Sequence, residues 1–151
     1  MTGDRGRKPE RLIVVDAANV VGSRPDGWWR DRAGAARKLL AKLSKLNEKL
    51  PEPAEVVVVL EGAARPAVEV VGRSGAKSDR SDGQVDLGDL QVVLAGGSGD
   101  DAIVEVVRAA VAADSNRQIT VVTADRGLRE RVEAHGAATV GPRWLWDHLD
   151  S

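Results

Sequence analysis

The chain contains no cysteine, no phenylalanine, no tyrosine and a single methionine. Without cysteine there is no disulfide framework and no thiolate metal site, a composition that fits a reducing, cytoplasmic setting. Without Phe and Tyr the core has to be built from aliphatic side chains. Besides two histidines, the aromatic residues are four tryptophans: Trp28, Trp29, Trp144 and Trp146. No apolar run approaches the roughly 20 residues of a membrane-spanning helix, so no membrane partner is expected. Residues 1–10 carry no apolar stretch and read as a disordered lead-in rather than a signal peptide. The formal net charge is −1, which argues against a general polyanion binder but permits a local basic surface. At 151 residues the natural expectation is one domain, over residues 11–151, large enough to bury its own core.

What is present is a series of continuous β-branched runs. Leu12 to Val15 and Val56 to Leu60 show no polar alternation, and further strands are expected at Leu90 to Leu94 and Ile119 to Thr123. Such runs read as strands buried on both faces, as in a parallel sheet. A fifth, short strand is expected at Ala137 to Val140. Between them lie helical patterns. Ala36, Leu39, Leu40, Leu43, Leu46 and Leu50 form one stripe, predicting a helix from about Arg32 to Leu50 that Pro51 and Pro53 end. Ile103, Val104, Val106, Val107, Ala110 and Val111 form a second stripe behind Ser98-Gly99-Asp100-Asp101, which has the form of a capping box. Leu128 and Val132 face inward on a third helix that His135-Gly136 closes. Pro142 starts a last helix, with Trp144, Leu145 and Leu149 available to pack. Gly72 to Asp89 is rich in Gly, Ser and charge and is expected to be a long mobile loop. Alternating strands and helices predict an α/β fold: a Rossmann-like three-layer α/β/α sandwich around a mostly parallel sheet.

The acids fall where strands end. Asp16 closes the first run, Glu61 follows the second, Asp100 and Asp101 open the helix after the third, and Asp125 follows the fourth. In a parallel sheet these positions share the carboxyl edge, where open α/β folds place their ligands. Carboxylates crowded there repel one another and suit a hard cation with oxygen ligands, Mg²⁺ or Mn²⁺. A metal at such a site can ionise a water and stabilise an in-line phosphoryl displacement. Each acid also has a plainer reading. Asp100, Asp101 and Asp125 sit in helix first turns or at helix starts, where acids cap or meet the helix dipole. Glu61 before Gly62 suits an ordinary turn. Asp16 is not expected to cap a helix, since Gly22 and Pro25 follow closely. Asn19 suits an Asx turn, or a polar group holding a phosphate or a metal-bound water.

Asp16-Ala17-Ala18-Asn19, Asp100-Asp101-Ala102-Ile103 and Thr123-Ala124-Asp125, in this order, resemble the motifs of the NYN branch of PIN-like nuclease domains. The resemblance covers residues 11 to 150 and implies a PIN-like fold, Mg²⁺ or Mn²⁺, and ribonuclease activity. By position, Asp16, Asp100 and Asp125 match the family's metal-binding acids and Asn19 its Asn. Asp101 is a substitute or a fourth acid, and Glu61 stands where some relatives carry another. The Gly72–Asp89 stretch departs from the pattern.

From Arg24 to Lys49 eight bases face three acids, a net of +5. A basic stripe beside the acids is what a polyphosphate backbone needs. Trp28 and Trp29, flanked by Arg24 and Arg30, suit stacking on unpaired bases of single-stranded or structured RNA. Arg126 and Arg129 suit phosphate contacts from the other side, or simply solvate their helix. Trp144, Trp146 and His148 read as packing and surface. The expected function is a metal-dependent ribonuclease using Asp16, Asn19, Asp100, Asp101 and Asp125. Two rivals stand beside it: a non-catalytic RNA-binding module on the same fold, and a small-molecule nucleotide phosphohydrolase. A Walker NTPase is disfavoured because Gly-x-x-x-x-Gly-Lys-Ser/Thr is absent. A dehalogenase-type phosphatase is disfavoured because no Asp-x-Asp follows the first strand. The sequence leaves open a protein partner, such as the antitoxin of a toxin, and a homo-oligomer.

Overall fold

The β-branched runs form the middle of one sheet. A computed structural model describes residues 11–23, 32–46, 50, 54–60, 84–87, 90–95 and 99–150. Among them the strands are β1 (Arg11–Asp16), β2 (Glu55–Leu60), β3 (Gln84–Leu87), β4 (Leu90–Leu94), β5 (Gln118–Val122) and β6 (Ala138–Val140). The helices are α1 (Ala17–Gly22), α2 (Arg32–Leu43), α3 (Gly99–Ala113), α4 (Arg126–Glu133) and α5 (Pro142–Leu149). The strand order is β3-β4-β2-β1-β5-β6. Strands β4, β2, β1, β5 and β6 are parallel, and β3 pairs antiparallel with β4 at the edge. This is the α/β architecture expected from the sequence.

β1 is central because both its faces are covered. Ile13 and Val15 join one core with α1, α2 and α5, through Val20, Leu39, Leu43, Leu145 and Leu149. Leu12 and Val14 join the other with α3 and α4, through Ile103, Val107, Leu128 and Val132. Side chains alternate across a strand, so an uninterrupted apolar run serves two cores at once. Burying each large aliphatic side chain contributes about 1.5–3 kcal/mol, which is how a core with almost no aromatic rings holds together. No helix among the described residues is long and apolar enough to cross a membrane.

Three expectations need correction. The helix predicted over Arg32–Leu50 stops at Leu43. The Lys45 amide donates to the Lys42 carbonyl at 3.1 Å, a tightened turn, and the Ser44 hydroxyl takes the Ala41 carbonyl at 2.7 Å. Serine side chains compete in this way with helical hydrogen bonds. Leu46 and Leu50 are still buried, so the apolar stripe persists past the helix. The stretch Gly72–Asp89 is not all loop, since it contains β3, which pairs Leu87 with Leu90 and Gln84 with Val93. Finally, Asp16 does cap a helix, the short α1 that begins directly behind it.

Candidate active site

β2 and β4 lie on one side of β1, while β5 and β6 lie on the other. The neighbouring carboxyl ends of β1 and β5 are therefore the point where the winding reverses, and open α/β sheets form their ligand crevice there. Asp16 is the last residue of β1, and Thr123, Ala124 and Asp125 follow β5 directly.

Asp16 and Thr123 are the buried polar side chains of the described residues, 7% and 0% exposed. A carboxylate is costly to bury unless hydrogen bonds meet its oxygens. The Asn19 amide donates to Asp16 Oδ1 at 3.4 Å, which caps α1. The Thr123 hydroxyl accepts from the Asp125 amide at 3.1 Å, so its own hydrogen is directed to Asp16 Oδ2 at 2.9 Å. Hydrogen bonds in such a chain polarise one another. Asn19 Oδ1 then accepts from the Ala124 amide at 2.8 Å. The turn after β1 and the turn after β5 are thus tied by two side chains, one from each. Asp125 Oδ1 accepts from the Leu128 amide at 3.0 Å and caps α4.

Asp100 and Asp101 lie in the first turn of α3, at the same edge of the sheet because α3 follows the parallel strand β4. Asp100 is half-buried. Asp101 is exposed and turns to Arg131 of α4 at 2.9 Å. An exposed pair of this kind contributes at most about 1 kcal/mol. The structure therefore brings Asp16, Asn19 and Asp125 together around Thr123, and commits the Asp101 carboxylate to an interhelical ion pair. Among the described residues no three His, Asp or Glu side chains gather into a group able to hold a metal ion. The oxygen donors of Asp16 and Asp125 are of the kind that suits Mg²⁺ or Mn²⁺. Mg²⁺ commonly binds through one or two carboxylates, keeping waters and substrate phosphates as its other ligands.

This geometry sits on a recognisable frame. The fold is similar to that of Rae1 (YacP) from Bacillus subtilis. Its structure aligns with a TM-score of 0.64 at 18% identity, over 92% of this chain and 73% of that one. A Trp-to-Leu variant of Rae1 aligns with a TM-score of 0.61 at 16% identity, over 92% and 74%. At these identities the likeness to Rae1 is one of fold. No family model matches the chain. No curated protein matches it in sequence.

Thr123 is the residue that a search for acids passes over. Its signal is a polar side chain closing an apolar strand two residues before Asp125. Arg129 is the second. Its Nε donates to the Thr123 carbonyl at 2.8 Å, so its side chain is held at the edge rather than spread over the helix. Arg126 is exposed in the first turn of α4, beside Asp125. Trp146 packs, as expected, and also donates from Nε1 to the Val20 carbonyl at 3.3 Å and to Ser23 Oγ at 3.0 Å, fixing the end of α1. The expected contacts at Arg24, Trp28, Trp29 and Arg30, the acid Glu61 and the cap Ser98 lie outside the described residues.

Proposed function

We propose that this chain is a metal-dependent ribonuclease that hydrolyses phosphodiester bonds of RNA at the carboxyl edge of its sheet. The observation that carries this reading is the buried Asp16, held by Thr123 at the winding reversal beside Asp125. A buried acid at a strand end is expensive for the fold, and perturbed or buried ionisable groups in clefts mark functional sites. The motif resemblance to NYN nucleases points the same way, as does the likeness in fold to Rae1.

In this reading Asp16 and Asp125 hold Mg²⁺ or Mn²⁺, with Asp100 as the third acid of the edge. When bound, the metal supplies an acidified water and a charge to offset the phosphoryl oxygens. The chain's own residues do the rest. Thr123 fixes Asp16 in one rotamer through its hydroxyl. Asn19 joins the two turns through its Oδ1, and its amide Nδ2 has no partner among the described residues and can donate to a phosphate oxygen. Arg126 offers a guanidinium beside Asp125. The basic stretch Arg24–Lys49, with Trp28 and Trp29, supplies backbone contacts and stacking for unpaired bases.

The second reading is a non-catalytic RNA-binding module. What favours it is that Asp16 and Asp125 both cap helices and that no three-acid group forms among the described residues. The separating experiment is cleavage of a mixed single-stranded RNA with Mn²⁺, Mg²⁺ or EDTA, for wild type beside Asp16→Asn. Metal-dependent cleavage lost in Asp16→Asn is expected. RNA binding without cleavage in any metal would make the chain a binding module.

A further inference from the structure

The described arginines divide into two groups. Arg108, Arg117 and Arg131 each have a carboxylate partner: Glu105, Glu55 and Asp101. Arg11, Arg37, Arg126, Arg129 and Arg143 have none among the described residues; Arg11 lies over the Trp144 ring at the amino end of β1 and Arg37 is on α2, and the other three lie at the carboxyl edge. These three are not scattered. Arg126 and Arg129 lie one turn apart on α4, so they share a face. The Arg129 Nε is anchored on the Thr123 carbonyl at 2.8 Å, and its Nη2 stands 3.5 Å from where a Cβ on Gly141 would be. Gly141 is the residue before α5, and Arg143 is the second residue of that helix. Two residues of chain span at most about 7 Å, so Arg143 begins within that distance of the Arg129 guanidinium's neighbour.

The three side chains come from opposite layers of the sandwich. α4 packs on the core that holds Leu128 and Val132, and α5 on the core that holds Leu145 and Leu149. They therefore straddle the carboxyl ends of β5 and β6. Along this edge Asp16 ends β1, Asp100 opens α3, which packs over β1 and β2, and Asp125 follows β5; the guanidiniums without a carboxylate partner lie from Asp125 outward, over the ends of β5 and β6. Two acids are next to them in sequence: Asp125, which caps α4 through Oδ1, and the exposed Glu130. An Arg held by Nε on a backbone carbonyl keeps its remaining donors in a fixed fork, which matches a phosphate oxygen pair.

We infer that Arg126, Arg129 and Arg143 form a phosphate-binding track on which the backbone of the RNA leaves the acidic edge over the ends of β5 and β6. The inference rests on the ribonuclease reading for its ligand class. It assigns one of the two directions in which a strand can cross the site, outward from β1 towards β6. Arg129 is the fixed point of the track, and Arg126 and Arg143 are its exposed arms.

The test is equilibrium binding of a short mixed-sequence single-stranded RNA in EDTA, across a salt series, with cleavage in Mn²⁺ measured separately. Each phosphate contact to a single strand contributes about 0.7 to the slope of log K against log salt. Arg126→Gln/Arg143→Gln, both exposed, is expected to flatten that slope by about 1.4 and to weaken binding equally for different RNA sequences. Arg108→Gln removes the same charge from the outer face of α3 and is expected to leave the slope unchanged. Arg129→Lys keeps the charge but loses the anchored fork, and is expected to weaken binding with little change in slope. A double variant that binds with the salt slope of wild type or of Arg108→Gln overturns the track, as does a wild type that binds no RNA at low salt. Cleavage separates the two readings. If wild type binds RNA and the double variant shows the expected flattening, but wild type never cleaves, the track stands and the nuclease falls. If wild type cleaves and the double variant binds normally, the nuclease stands and the track falls.

Discussion

The hydroxyl of Thr123 donates to Asp16 Oδ2 at 2.9 Å, across the ends of two adjacent parallel strands. The same oxygen receives the Asp125 amide at 3.1 Å. One hydroxyl therefore orients the deepest acid of the edge and the turn that carries the next one.

Thr123→Val keeps the shape and removes the hydroxyl. It leaves a buried carboxylate oxygen and a backbone amide short of a partner, so the loss of stability in urea unfolding is expected at about 1–3 kcal/mol. Thr123→Ser restores the donor and is expected to recover most of it. RNA cleavage should follow the same order, and a Val variant that is as stable and as active as wild type would show that the hydrogen bond has no role.

Asp125 has two duties, and substitution separates them. Asparagine caps helices as well as aspartate does, so Asp125→Asn is expected to keep the stability and lose the charge. Asp125→Ala loses the cap as well, for a further cost of about 1 kcal/mol. Both variants are expected to lose metal-dependent cleavage, and only Asp125→Ala should unfold at lower urea. Cleavage that survives in Asp125→Asn would remove this acid from the chemistry.

Arg117 pairs with Glu55 at 2.6 Å at the start of β5 and β2, with side chains only 8% and 13% exposed. This is the amino edge of the sheet, opposite the acids. Removing one member of a buried pair leaves an uncompensated charge, so Arg117→Ala is expected to destabilise by about 3 kcal/mol. Below its unfolding range the variant should cleave RNA at the wild-type rate. Thermal unfolding and initial rates measured on the same preparation decide it.

Gly136 has φ +96° in the turn after α4. Nothing lies within 4 Å of a Cβ placed there, so space is not the constraint. The backbone conformation is, and Gly136→Ala is expected to cost about 1 kcal/mol in urea unfolding, with Gly136→Asn costing less. Equal stability of all three would mean that the turn relaxes to negative φ.

Much of the frame was legible in the chain. Uninterrupted β-branched runs cannot face water on either side, so Leu12–Val15 and Val56–Leu60 had to be interior parallel strands, and so they are. The last helix was marked by Pro142, and the turn after α4 by His135-Gly136. The edge strand β3 was hidden in composition. Gly and charged residues around it suggested a loop, although Gly88-Asp89 between Leu87 and Leu90 is the length of a hairpin connection. The stop of α2 at Leu43 was hidden because the leucine stripe runs on beyond it, burying Leu46 in a tightened 3₁₀ turn past the α-helix.

The site divides in the same way. By itself the sequence determined which acids stand at strand ends and that the strands are parallel, so Asp16, Asp100 and Asp125 had to share one edge. That follows from local patterning, because a run's periodicity sets its burial and its end sets the position of the next polar residue. Only the tertiary structure decided that β5 returns beside β1, and so that Thr123 meets Asp16, Asn19 meets Ala124, and Asp101 turns to Arg131. Strand order is a property of how the helices cover the two faces. Residues more than a hundred positions apart become hydrogen-bond partners only once that order is set.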